Sequence, residues 1–192
     1  MPLSAATVET VFNFTGAKGA GQSYTTASDG LGLTVGASLY NPLGSALSGS
    51  ADLNWLHKGG LGAVSGKPDT PKADGAGLDE LMTFVFDRVV KIETITFAAI
   101  KKGSSFDFFM DGLFQKKDGA GKGYIFASDF TSDSFGVGAS DWRSAFRIKS
   151  ISVSWEDGIS AVPLPAGGLL LLTALTALVL LNRKRRVAVV AA

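Results

Sequence analysis

Residues 166–181 form an apolar run without a charged side chain, and this run restricts the possible folds more than any other segment. Its only hydroxyl groups belong to Thr173 and Thr176, and each can bond to a carbonyl one helical turn earlier. A helix needs roughly 17–25 residues to cross the hydrocarbon core of a membrane, a length that is reached when the run is counted from Val162. Pro163 and Pro165 lack amide protons, so they fit at or before the first turn. The run therefore predicts one C-terminal transmembrane helix over 166–181.

A basic cluster follows the apolar run at Arg183, Lys184, Arg185 and Arg186. Lysine and arginine near a span are retained on the cytoplasmic side, so we expect 187–192 to be a short cytoplasmic tail and 1–157 to lie outside the cytoplasm. Residues 1–161 contain all 17 acidic residues but only 14 of the 18 basic ones, a net charge of −3. A mildly acidic body of this kind does not favour nucleic acid as a partner.

A proline-rich motif stands immediately before the span: Val162, Pro163, Leu164, Pro165 and Ala166. Motif, span and basic cluster in this order resemble the PEP-CTERM class of bacterial sorting signals, and the motif matches the VPLPA-CTERM variant of that class. The resemblance covers 162–186, after a linker at 158–161. It implies an exosortase as partner, a membrane-embedded enzyme regarded as a cysteine-dependent transpeptidase. Proteins with such signals tend to be surface or matrix proteins of Gram-negative bacteria that make exopolysaccharide, so membrane lipid and exopolysaccharide are the other implied partners.

The same resemblance implies a secretory signal at the N-terminus. Residues 1–7 contain neither a basic region nor an apolar segment of the kind that export requires. We therefore expect the DNA upstream of Met1 to encode one or two basic residues followed by about ten apolar residues. The expected precursor is held in the inner membrane by its C-terminal helix, and the mature form is expected at the cell surface or in the extracellular matrix.

The body, residues 1–157, is predicted to be a single all-β domain. Alternating apolar residues in 8–14, 31–35, 81–86, 89–97, 106–110, 124–126, 146–149 and 151–155 indicate strands, and a short helix is weakly signalled around 44–55. About eight strands between Gly-, Asp- and Ser-rich turns favour an antiparallel β-sandwich of the jelly-roll type. The apolar phase shifts by one residue between Ile148 and Ile151, which predicts a β-bulge. The chain has no cysteine, so neither disulfides nor a cysteine nucleophile contribute.

An acidic loop is the first candidate site in the body, with Asp69, Asp74, Asp79 and Glu80 within twelve residues. Calcium prefers six to eight oxygen ligands, and a glycine-rich loop can add carbonyls to carboxylates. Pro71 and Ala73 occupy ligand positions of an EF-hand, which excludes that motif. The sequence therefore allows a calcium site at the loop tips. The alternative is a solvated turn that leads into the strand at 81–86.

Aromatic and acidic side chains supply the other candidates. Trp142, in a Ser-Asp-Trp-Arg turn, is the first choice for a ring that stacks on a sugar, whereas Trp155 at the end of a strand is expected in the core. His57, the only histidine, is expected at a turn without a catalytic partner. Asp107 and Asp111 are glycosidase candidates only by residue type.

These observations predict a non-catalytic exported protein that an exosortase-type signal sends to the cell envelope or surface, in association with exopolysaccharide or biofilm matrix. The alternative is a carbohydrate-binding β-sandwich module, with or without calcium. A hydrolase is the least favoured function.

Overall fold

The computed structural model describes residues 6–16, 18–40, 49–66, 69–127 and 129–157. Thr7–Glu156 form one compact unit. The strands in these ranges are β1 (Ala6–Asn13), β2 (Gly19–Gly21), β3 (Ser23–Ser28), β4 (Leu31–Leu39), β5 (Asp52–Leu56), β6 (Gly60–Val64), β7 (Ala73–Asp74), β8 (Glu80–Ala98), β9 (Ser105–Met110), β10 (Leu113–Gly119), β11 (Gly123–Ile125), β12 (Thr131–Ala139) and β13 (Ala145–Asp157). The prediction of an all-β body is confirmed.

The long strand β8 organises the sheet. Its first part, residues 80–86, lies between β4 and β12, and its second part, residues 91–98, pairs with β13. The hydrogen-bonded path runs β10-β9-β12-β8-β13-β6-β5-β2, and β1, β3, β4, β7 and β11 attach to its members. The described strands thus form one large antiparallel sheet.

The core is enclosed because this sheet curves back on itself. Strand β1 is paired with β13, and β13 pairs with residues 91–98 of β8. The aromatic rings of β1 nevertheless contact the first part of β8, residues 80–86. Phe12 packs on Phe86 with ring centroids 5.8 Å apart, and Phe14 packs on Phe84 at 6.0 Å. All four rings are buried, and Phe84 also stacks on Phe135 of β12 at 4.9 Å. Alternate residues of β1, β4, β8 and β12 therefore supply one continuous aromatic and aliphatic core.

Two bulges change which face of the strands is buried. Lys149 of β13 has no partner in the pairing with β8, so the buried positions move from Ile148 to Ile151. The predicted bulge is confirmed. Glu93 of β8 is the extra residue of a second bulge in the same strand pair. Each extra residue turns the following side chains to the other face.

Other elements differ from the sequence-based expectation. The two strands predicted at 81–86 and 89–97 are one strand, β8, whose exposed residues 87–89 leave the pairing with β12. The predicted helix around 44–55 is wrong for residues 52–55, which belong to β5, and residues 44–48 are outside the described ranges. Strands β2, β3, β6, β7, β10 and β12 were not predicted, so the described ranges contain thirteen strands where about eight were expected. The glycines of β6 and β12 and the exposed positions of β3 and β10 weaken the apolar alternation in these segments.

Candidate functional site

Three of the four acidic residues predicted to bind calcium lie close together. Asp69 precedes β7, Asp74 ends β7, and Glu80 begins β8. The carboxylate of Asp69 accepts hydrogen bonds from the amide and the hydroxyl of Ser65, at 2.7 and 2.9 Å. The carboxylate of Asp74 accepts from the hydroxyl of Thr70 at 2.6 Å, and the amide of Asp74 donates to Glu80 Oε2 at 3.1 Å. The carboxylate oxygens of Asp69 and Asp74, which a metal ion would need, already accept hydrogen bonds from the loop itself.

Glu80 is fully buried, and this burial sets its protonation state. Burial, with the hydrogen bond to Asp69 and the negative charges of Asp69 and Asp74, raises the pKa of the Glu80 carboxyl to about 9. Burial also opposes the ionisation of Asp69, but hydrogen bonds from the Ser65 amide and the Glu80 carboxyl outweigh it and hold the pKa of Asp69 below its usual value. Among the described residues Glu80 Oε1 has no hydrogen-bond partner, so this oxygen receives no donor that would stabilise a negative charge. At neutral pH Glu80 is therefore neutral and Asp69 is ionised.

Asp79, the fourth predicted ligand, faces a different environment from Glu80, because neighbouring residues of an extended chain point to opposite faces. Burial and the nearby charge of Asp107 raise the pKa of Asp79, while Lys117 opposes this shift. In the part of the chain that the structure describes, no group of three or more His, Asp or Glu side chains is arranged to hold a metal ion. The calcium hypothesis keeps its sequence basis and gains no support from the geometry.

A second polar cluster lies around Asp107 on β9. Asp107 is buried and accepts a hydrogen bond from the Tyr40 hydroxyl at 2.6 Å. Lys117 Nζ lies 4.0 Å from carboxylate oxygens of both Asp107 and Asp141. Burial, and next the hydrogen bond to Asp107, raise the pKa of Tyr40, so this phenol remains protonated and keeps donating. The ring of Tyr40 lies over Gly138, where a Cβ atom would come within 2.6 Å of it.

The glycosidase candidates do not form a pair of accessible carboxylates. Asp107 is buried beneath Tyr40. Asp111 is exposed in the β9–β10 turn with a positive φ of 51°, and its carboxylate accepts a hydrogen bond from the hydroxyl of Ser132. His57 is exposed in the turn at 57–59, as predicted. A pair of carboxylates flanking a cleft, as glycoside hydrolysis requires, is not formed by Asp107 and Asp111.

The three tryptophans have different environments, and Trp142 is the accessible one. Its side chain is 65% exposed in the turn after β12, and the Arg143 guanidinium lies 4.6 Å from its ring centroid. Trp155 is 4% exposed, which confirms its predicted place in the core. Trp55 is half-buried and packs on Tyr24 with ring centroids 5.3 Å apart. An exposed ring supported by a planar cation is suited to stacking on an apolar ligand face.

Arg147 is a buried charge that the sequence did not single out. Only 1% of the residue is exposed, and burial lowers the pKa of its guanidinium to about 10. The guanidinium donates to the carbonyl of Gly60 at 3.0 Å, to the carbonyl of Asn54 at 2.6 Å and to the carbonyl of Pro71. Among the described residues no carboxylate forms an ion pair with it. Carbonyl dipoles stabilise this cation, and Arg147 thereby ties β5 and β6 to the acidic loop.

A groove of about 560 Å³ lies where the end of β13 meets the middle of β8 and the first residues of β1 and β12. Its lining combines an indole, Trp155, with the charged side chains Lys91, Glu93 and Glu156. Lys91 forms ion pairs with Glu93 at 3.6 Å and with Asp129 at 3.0 Å. No motif in the sequence indicated this groove, because its residues come from four separate strands. The sequence does contain a sign of the bulge at Glu93, because the apolar phase of β8 shifts between Ile92 and Ile95.

The predicted sorting motif, Val162 to Ala166, and the basic cluster, Arg183 to Arg186, lie outside the described residues, as does the predicted span at 166–181. Among the residues that are described, no helix is both long enough and apolar enough to cross a membrane. No protein-family model, curated protein or solved structure matches the chain.

Proposed function

We propose that this chain is an exported, non-catalytic protein that a C-terminal exosortase-type signal delivers to the cell envelope and then to the surface or the exopolysaccharide matrix. The observation that carries the proposal is the order of the motif at 162–166, the apolar run and the basic cluster, directly after the last strand. The compact unit Thr7–Glu156 ends before the signal begins. The body is proposed to be a β-sandwich of the jelly-roll type, which the packing of Phe12 on Phe86 across the core supports.

Each part of the signal has a separate physical task in this proposal. Pro163 and Pro165 disfavour helix in the residues that precede them, so the motif is extended where the span begins. The apolar run holds the motif at the outer face of the inner membrane, within reach of a membrane-embedded transpeptidase. Because this chain has no cysteine, a thiol that attacks the signal must belong to the enzyme.

Processing in a host with an active exosortase tests the role of the motif. The variant with Pro163→Ala and Pro165→Ala is expected to keep its full mass and to stay in the inner membrane, whereas the wild-type chain loses its tail. Thr173→Ala with Thr176→Ala is the matched control, because it alters the span but not the motif. If the proline variant matures to the wild-type mass and location, the sorting proposal is wrong.

The basic cluster is tested through topology. Replacement of Arg183, Lys184, Arg185 and Arg186 by glutamine should make the orientation of the span mixed, since retention on the cytoplasmic side depends on these charges. Protease added to intact cells with a permeabilised outer membrane then digests the body of only part of the molecules. Lys101→Gln with Lys102→Gln, two exposed positions of the body, is the control. An unchanged digestion pattern would contradict the proposed orientation.

Carbohydrate binding is the second candidate function, and the exposure of Trp142 favours it. The ring is 65% exposed beside Arg143, so one of its faces is accessible for stacking on the apolar face of a sugar. Glycan-array binding by the full chain, lost in Trp142→Ala and retained in Trp142→Phe, is the expected result. A chelator included in the same assay separates calcium-dependent from calcium-independent binding. Equal binding by Trp142→Ala and the wild type would exclude Trp142 as the stacking residue.

A further inference from the structure

The groove beside Trp155 has the chemistry of a ligand site. Glu93 and Glu156 present carboxylate acceptors, Lys91 presents an ammonium donor, and the hydroxyls of Thr131 and Ser154 can act in either sense. Val89, which is 58% exposed, adds apolar surface at the rim. Small-molecule sites are typically concavities of roughly 300–1,000 Å³ with a few placed polar groups on apolar walls. The groove volume of about 560 Å³ lies within this range.

Contacts between the strands hold its polar groups in place. The Ser154 hydroxyl donates to Glu93 Oε1 at 2.7 Å, and Lys91 lies between Glu93 and Asp129. Glu93 is the bulge residue of β8. A bulge redirects one side chain out of the regular alternation and is common beside functional sites. The arrangement therefore fixes a carboxylate in the groove before a ligand arrives.

Trp155 supplies the second, independent observation. Its side chain lines the groove, the residue is 4% exposed, and its Nε1 has no acceptor in the described part of the chain. A buried donor without a partner costs about 1–3 kcal/mol, a cost that phenylalanine would not carry and that offsets part of the packing it would lose. A hydroxyl that enters the groove, with a small shift of the surrounding side chains, supplies the missing acceptor.

We propose that this groove binds a short segment of a neutral oligosaccharide. Sugar hydroxyls donate to the carboxylates and accept from the ammonium group and, after a small shift of the surrounding side chains, from the indole N–H, while the C–H face of a sugar ring contacts Val89. Glu93, Glu156 and Asp129 outnumber the cations Lys91 and Arg88, whose guanidinium lies 6.0 Å from the Trp155 ring centroid. The local charge is therefore negative, which disfavours phosphate, nucleic acid and polyuronates. The inference deepens the matrix association in the proposed function and depends on it only for the source of the sugar.

Isothermal titration of the full-length chain tests this site. The chain is kept in a detergent without a sugar headgroup, so that the detergent does not compete. The probes are neutral hexasaccharides of glucose, galactose or mannose, with a hexauronate as the charged comparison. We expect at least one neutral probe to bind, and both Glu93→Gln and Trp155→Phe to weaken that binding about tenfold, the effect of losing one hydrogen bond to a charged or buried group. Trp155→Phe should keep its melting temperature within a few degrees of wild type, because the lost donor has no partner in the described structure.

Two control variants change residues outside the groove. Asp133→Asn removes an exposed carboxylate of β12 that does not line the groove. Trp142→Phe keeps an aromatic ring at the other candidate site, and both variants should bind as the wild type does. The proposal is overturned if no neutral probe binds at about 10 mM, if the hexauronate binds more tightly, or if Glu93→Gln and Trp155→Phe bind normally. Because binding is measured on the unprocessed chain, its failure is distinct from a failure of sorting, which is read from the mature mass.

Discussion

The buried proton on Glu80 should make the stability of the fold fall as pH rises. The pKa of this carboxyl is about 9 in the folded chain against an ordinary value of 4.5. Between these two values the unfolded chain releases the proton while the folded chain retains it. The folded state then binds more protons, so the free energy of unfolding decreases with pH, by up to about 1.4 kcal/mol per unit. The contribution is complete below the ordinary value and is lost as pH rises through 9.

The change that tests this argument is Glu80→Gln. The amide keeps an acceptor for the Asp74 amide, but it cannot ionise. At pH 5.5 we expect the variant to match the wild type within about 1 kcal/mol. By pH 7.5 the wild type should have lost about 2–3 kcal/mol from this group, and the variant should be the more stable protein by roughly 5–10 °C in melting temperature. Melting followed by near-ultraviolet circular dichroism, on full-length chain in detergent, measures the difference.

Two comparisons separate Glu80 from the other carboxyls. Asp133→Asn alters an exposed residue of β12 and should follow the wild-type curve at every pH. The pKa of Asp69 lies below its ordinary value of 3.8, so the stability that Asp69 contributes is lost only as pH falls beneath that value, outside the window tested. Parallel curves for Glu80→Gln and the wild type between pH 5.5 and 7.5 would refute the reasoning, because Glu80 would then be ionised in the folded chain.

Three further predictions concern the same part of the molecule. Gly138→Ala should destabilise the fold by about 1–3 kcal/mol, because the added Cβ displaces Tyr40 from Asp107, while Gly36→Ala, where nothing lies within 4 Å, should cost nothing measurable in chemical denaturation. Arg147→Met should cost roughly 3–5 kcal/mol in the same assay, since three carbonyls lose their donor at about 1–3 kcal/mol each. A cost below about 1 kcal/mol would exclude the tie between β5, β6 and the acidic loop. Calcium at millimolar concentration should leave the melting temperature unchanged, and a rise that Asp74→Asn abolishes would instead support a calcium site.

The sequence predicted the parts of the fold that depend on local alternation. Strand β1 and the ends of β8 and β13 follow from apolar residues with a period of two, and the bulge at Lys149 is visible as a shift of that period. Strand β12 was missed because glycines replace the outward-facing side chains at 136 and 138. Those glycines are explained only by partners from other strands, such as Tyr40 over Gly138.

The candidate sites depended on contacts that no local pattern contains. Four acidic residues within twelve positions predicted one cluster of carboxylates. In the structure Asp79 lies near Asp107, whereas Glu80 lies near Asp69. The two-residue period of an extended chain was sufficient to predict this separation. The burial of Arg147 was beyond prediction, because its acceptors lie 76 to 93 residues earlier in the chain.

The position of β13 in the sheet has a consequence for when the protein can fold. This strand is the last in the described chain, yet it pairs with β1, β6, β7 and β8. Contacts between residues so distant in sequence make folding slow, since large loops must close first. The core cannot be completed until the whole of β13, up to about residue 155, is available for pairing. A chain with this topology cannot close its core during synthesis, and it folds only after β13 has emerged.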